Sequence, residues 1–186
     1  MFIKKAVSKD GVLSVVYEDD GNIYSVKSTD EPRTALQERL LDLKAILLRN
    51  FEVLFPEDAF KDYEKDSYRD IKVNTAGFER ACLANKFRPI GISHAQSEQN
   101  GESFKILGLY KGLAVCCPIS TSAMTIPPSG NAYWNGEDKR NHPEYLTESD
   151  CQRISAFLGE VILFLDGQRD QGELFDEEGN PVEEDA

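Results

Sequence analysis

Apolar and polar positions alternate with a period of two over the first part of the chain. Residues 2 to 7, 12 to 18 and 22 to 28 read as three strands, with Leu13, Val15 and Tyr17 on one side of the second and Val12, Ser14 and Val16 on the other. Lys9-Asp10-Gly11 and Asp19-Asp20-Gly21-Asn22 separate them. These are hairpin signals, because tight turns between twisted strands need the positive φ values that Gly supplies at little cost. The pattern predicts a three-stranded meander.

The period then lengthens. Ser28-Thr29-Asp30-Glu31-Pro32 reads as a helix entry, with a capping oxygen from Thr29 or Asp30 and Pro32 near the first helical position. Leu36, Leu40, Leu43, Leu47 and Leu54 follow at helical spacing, widened by Leu41, Leu48 and Phe51, and predict one long helix to about residue 52. Its leucine stripe is expected to cover the adjacent sheet rather than to form a coiled-coil face. Residues 56 to 70 mix charges with aromatics and suit a linking loop or short helix. Period-two character returns at 71 to 73 and 77 to 80, and further strands are predicted at 87 to 94, 104 to 110 and 113 to 118, with turns at Gln99-Asn100-Gly101 and Lys111-Gly112.

A long polar connection runs from Pro127 to Pro143. Thr147-Glu148-Ser149-Asp150 then marks a second helix, with a capping hydroxyl and acids in the first turn where the helix dipole favours them. Cys151, Ile154, Leu158, Val161 and Leu165 form its apolar face, with Phe157, Ile162 and Phe164 beside them, and Gly167 sits at the C-cap position. The expectation is a single α+β domain over residues 1–172, an antiparallel sheet covered by two main helices, followed by a disordered acidic tail at 173–186.

Charge sharpens that division. The last fourteen residues hold seven acids and no base, leaving 21 basic against 26 acidic residues in positions 1 to 172, a net of −5. A mildly acidic body without a long basic run disfavours direct nucleic-acid binding, although a local basic face remains compatible with the composition. Acids crowded into a tail also suit a DNA mimic poorly, since mimicry needs carboxylates spaced over a rigid surface. No apolar stretch approaches the roughly 20 residues that cross a bilayer, so a cytoplasmic protein with no membrane partner is expected.

Candidate chemistry is sparse. Cys82, Cys116, Cys117 and Cys151 lack CxxC spacing and read as reduced, partly buried thiols. His94 and His142 lie in no metal or catalytic pattern and read as surface or loop residues. With no phosphate loop, nucleophile elbow or metal motif, neither a cofactor nor an enzymatic activity is expected. Trp134 and Tyr133, with Tyr145 nearby, are candidates to stack on a ligand in a pocket between sheet and helices, against the alternative that they pin the loop to the core.

The strongest signal lies at the end. Gln171, Leu174 and Phe175 form a Gln-x-x-Leu-Phe string that resembles the short peptide by which bacterial DNA polymerases and repair factors hold the sliding clamp. In that family the Gln bonds at the rim and the Leu and Phe enter an apolar pocket. Here Gly172 stands where Leu is usual and Glu173 replaces Ser or Asp. The alternative is that Leu174 and Phe175 fold back on the last helix, as apolar residues beyond a C-cap do. The longer stretch Gly167-x-Arg169-x-Gln171-x-x-Leu174-Phe175, with similarity at residues 3 to 50, also resembles a group of phage and prophage proteins. The resemblance implies a small phage-encoded accessory protein, and with the clamp-like string the expectation is that it binds a protein partner of host replication or recombination. A ligand-binding or sequestering protein acting against host defence is the alternative from a different class.

Overall fold

The computed structural model describes residues 1–28, 31–53, 75–97, 101–126, 133–134, 137–138 and 145–167. In chain order its elements are β1 (Phe2–Lys9), β2 (Val12–Asp19), β3 (Asn22–Ser28), α1 (Thr34–Asp42), α2 (Lys44–Asn50), α3 (Thr75–Ala84) and β4 (Phe87–Ser97). They continue with β5 (Gly101–Lys111), β6 (Cys116–Ser120), β7 (Met124–Thr125), β8 (Tyr133–Trp134), β9 (Glu137–Asp138) and α4 (Glu148–Leu165). The architecture is α+β. Strands in the order β3-β2-β1-β4-β5-β6, with β7 also on β5, make a seven-stranded sheet, and β8 and β9 form a separate pair. Every strand pairing in the seven-stranded sheet is antiparallel.

The meander forms as the alternation predicts. Asp10 and Gly11, then Asp20 and Gly21, all adopt positive φ in two-residue connections, the backbone that matches the right-handed twist of paired strands. Two register shifts set which side chains face the helices. One lies between Ile3 and Lys5 and brings Ile3 and Ala6, three apart, onto the same side. The other lies between Pro89 and Gly91 and does the same for Pro89 and Ile92. A bulge inserts one residue and so reverses the alternation beyond it.

One face of the sheet meets the helices. Ile3, Ala6, Leu13, Val15, Ile92, Phe104 and Ile106 from the strands are buried against Leu36, Leu40, Leu43, Ile46 and Leu47. The helix predicted up to residue 52 divides at Leu43, whose N–H donates to the Leu40 carbonyl at 3.2 Å in a tightened turn. The break keeps Leu43 fully buried between two segments that each press apolar residues inward, whereas Leu41 is 58% exposed and lies outside the stripe. The helix also starts later than the sequence suggests. Arg33 is the N-cap, without a side-chain bond to the first turn, and Gln37 Nε2 donates to the Pro32 carbonyl at 3.2 Å. Thr29 and Asp30 lie outside the described residues.

Helix α3 overturns the strand expected at 77 to 80. Ala81 and Ala84, three apart and buried, mark a helical face whose small side chains give no strong periodicity. The segments 54–74 and 98–100 lie outside the described residues, as does the predicted turn at Asn100. Strand β6 starts at Cys116 rather than Leu113.

Helix α4 follows its sequence signals most closely. Ile154, Phe157, Val161 and Phe164 are buried at steps of three, four and three. A capping box opens the helix: Thr147 Oγ1 accepts from the Asp150 N–H at 3.2 Å, and Asp150 Oδ2 accepts from the Thr147 N–H at 2.8 Å. The same carboxylate pairs with Arg49 of α2, whose other guanidinium nitrogen donates to the Tyr145 carbonyl at 3.3 Å. Asp150 is 2% exposed. Its charge is therefore met from both sides, by a cation and by the helix N-terminus. At the far end Gly167 takes φ +84 and its N–H donates to the Phe164 carbonyl at 3.1 Å.

Two glycines permit close backbone approach. A Cβ on Gly108 would meet Leu47 Cδ2 at 2.8 Å, so the missing side chain lets α2 settle on the sheet. A Cβ on Gly91 would stand 1.9 Å from the Ala6 carbonyl oxygen, on the neighbouring strand. Gly91→Ala is therefore expected to force β1 from β4 and to cost about 3 kcal/mol or more, since backbone yields less readily than a side chain. Urea unfolding followed by circular dichroism measures this, with Gly159→Ala, a helical site whose Cβ meets nothing within 4 Å, as the comparison expected to lose no stability.

Candidate functional site

His94 sits where β4 passes the bulge of β1. It shares a strand side with Ile92 and pairs with Phe104, so its ring lies on the covered face of the sheet. It is 8% exposed, which corrects the expectation of a surface histidine. The rings of Phe2 and Phe104 lie 4.3 and 4.2 Å from it, the second nearly parallel to it. Nδ1 is 3.2 Å from the Ile3 carbonyl oxygen. A carbonyl only accepts, so Nδ1 carries the hydrogen and the neutral ring presents its lone pair at Nε2.

Nε2 is buried without a hydrogen-bond partner among the described residues. The Glu102 carboxylate oxygen Oε2 stands 3.8 Å away, but like the unprotonated Nε2 it only accepts, so the two do not bond while the ring is neutral. Burial lowers the pKa of His94 from its ordinary value, opposed by the Glu102 charge and by the Ile3 carbonyl. The ring is thus a neutral acceptor held between aromatics, chemically able to take a hydrogen bond from a neighbouring donor.

A cavity of about 700 Å³ opens beside it, walled by Phe2, Lys4, Glu18, Asp19, Asp20 and His94, among others. Its charges are largely paired: Lys4 Nζ lies 2.7 Å from Glu18 Oε2, and the Met1 amino group lies 2.9 Å from Asp19 Oδ1. This cavity lies at the open end of the β1–β2 hairpin. Trp134 and Tyr133 are described by their backbone alone. Those two residues form β8, paired with Glu137 and Asp138 of β9.

The remaining predicted residues are scattered or lie beyond the described chain. Gln171, Leu174 and Phe175 lie outside the described residues, and so does His142. Tyr145 is half-buried, and its backbone carbonyl accepts from the Arg49 guanidinium. Cys82, Cys116 and Cys117 are exposed, correcting the expectation of partly buried thiols, and Cys151 alone is half-buried. Burial, reinforced by the Asp150 charge, pushes the Cys151 thiol above its ordinary value. Among the described residues no three His, Cys, Asp or Glu side chains come together as a metal site.

The environment of His94 sets a pH dependence whose sign follows from linkage. The unfolded chain takes up a proton near pH 6.5 while the folded ring resists it, so acidification favours unfolding. Stability is fully present above that value and declines as pH falls toward the lowered folded pKa. Urea midpoints recorded on the acid side of neutrality are expected to fall more steeply for the parent than for His94→Gln, which cannot titrate. Parallel slopes would contradict the assignment.

No protein-family model, curated protein or solved structure matches the chain, and its function is read from its own residues and geometry.

Proposed function

We propose that the chain is a non-enzymatic accessory protein, of phage or prophage type, that engages a protein partner of bacterial DNA replication or recombination through Gln171, Leu174 and Phe175. The sliding clamp is the foremost partner. What supports this reading is the likeness of Gln171-x-x-Leu174-Phe175 to clamp-binding peptides, together with the helix that precedes it. Helix α4 is fixed at its start by the Asp150 capping box and Arg49. It stays embedded through Phe164, and turns out at Gly167, four residues before Gln171. A short peptide close behind a rigid helix gives up less chain entropy on docking than one on a long linker.

The energetics suit a weak, reversible contact. Burying one Leu and one Phe contributes roughly 3 to 6 kcal/mol. Association costs of about 4 kcal/mol or more offset most of it. These two side chains alone therefore supply an affinity weaker than millimolar, and tighter binding draws on the Gln171 hydrogen bonds or a second surface.

Surface plasmon resonance on an immobilised bacterial sliding clamp tests the reading directly. The full chain is expected to bind, and Leu174→Ala with Phe175→Ala to weaken it at least about tenfold, the loss of some 1.4 kcal/mol or more from two apolar anchors. Equal binding by both chains, or binding by neither, contradicts it.

A further inference from the structure

The side of the sheet turned away from α1 and α2 has a charge that the whole chain conceals. Alternation from the buried positions places Lys5 and Lys9 of β1, Lys27 of β3, Arg88 of β4, and Lys105 and Lys111 of β5 on this side. All six are exposed. None of them makes an ion pair among the described residues. Glu18 is the one acid at a strand position of this face among the described residues, and Lys4 already neutralises it at 2.7 Å.

The register brings the cations into rows. Lys5 stands opposite Ser93, and Ser93 opposite Lys105, so two ammonium groups flank a hydroxyl on three adjacent strands. At the usual strand spacing their Cα atoms lie about 10 Å apart. Lys27 stands opposite Ser14 in the next row, and Arg88 opposite Leu109. Between the cations the face is aliphatic or hydroxylic, through Val7, Val16, Leu107 and Leu109, all half-buried, with Ser14 and Ser93.

We propose that this open sheet face binds the phosphodiester backbone of a nucleic acid. Charge complementarity selects a polyanion: six uncompensated cations spread over four strands match a ligand with a negative charge at each nucleotide. The aliphatic and hydroxyl side chains between them offer no ring for a base to stack on, so recognition is of phosphates and independent of sequence. The net charge of −12 does not forbid this, because seven of the acids lie in the last fourteen residues and exposed charges more than about 10 Å away are largely screened in salt. The proposal stands independently of the C-terminal docking peptide. Together they make an adaptor that holds a protein with its tail and a strand with its sheet.

Fluorescence anisotropy with labelled oligonucleotides of about 20 residues, as single-stranded DNA, RNA and duplex, tests it over roughly 50 to 200 mM salt. Lys5→Ala with Lys105→Ala in the full chain is expected to weaken binding about tenfold or more and to flatten the salt slope by roughly 1.4 to 1.8, the loss of two phosphate contacts. Arg39→Ala with Arg153→Ala removes the same charge from the helical side and is expected to leave affinity within about twofold. Leu174→Ala with Phe175→Ala should leave oligonucleotide binding unchanged, which separates this proposal from the clamp reading. The proposal is overturned if the parent binds none of the oligonucleotides, if the helical-side variant loses as much as the sheet variant, or if the parent sediments with anionic vesicles but ignores nucleic acid.

Discussion

One-sided coverage of the sheet is the constraint from which the rest follows. A sheet buries its apolar positions by packing on something, and among the described residues α1 and α2 supply that cover on one face, with α4 packed against α1. Ile3, Ala6, Leu13, Val15, Ile92, Phe104 and Ile106 go toward the helices. The side chains that alternate with them go the other way by the geometry of the strand; Lys5 and Lys105 are among these, and Lys9, Lys27, Arg88 and Lys111 take the same side further along their strands. The bulges at Lys4 and Ile90 matter for the same reason. Each reverses the alternation once, and without them Ile3 and Phe87 would turn toward the cationic face.

The helical layer is held by polar groups placed where apolar packing alone would leave it free to slide. Asp150 serves the capping box of α4 and the Arg49 guanidinium of α2 with one buried carboxylate. That arrangement ties two helices far apart in sequence. His94 is the corresponding polar group in the sheet, with its Nδ1 on the Ile3 carbonyl and its other nitrogen toward Glu102. Asp150 is balanced by a full cation, whereas His94 is balanced only by remaining neutral.

Much of this was legible from residue order. The Asp-Gly turns of the meander, the Thr147–Asp150 capping box and Gly167 all act locally, and local chemistry is written in adjacent residues. Helix α3 was hidden because residues 77 to 80 read with a period of two, and Ala81 and Ala84 are too small to announce a helical face. The break at Leu43 was hidden because both halves continue the same leucine spacing. His94 was read as exposed because its burial comes from Phe2, on a strand some ninety residues earlier, and from Phe104, across a hairpin. The basic face was beyond reach of composition altogether, since Lys5 and Lys105 are a hundred residues apart and meet only through the strand order β1-β4-β5. Averaging charge over the chain erased a surface that register restores.

The central claim is that the cationic face of the sheet is a working surface and not merely a solvated one. Amide chemical-shift mapping of the full chain during titration with a single-stranded oligonucleotide tests it most directly. The account predicts shifts concentrated on β1, β4 and β5 around Lys5, Ser93 and Lys105, with α1 and α4 unmoved. Shifts confined to the helices, or none on the sheet at saturation, would contradict it.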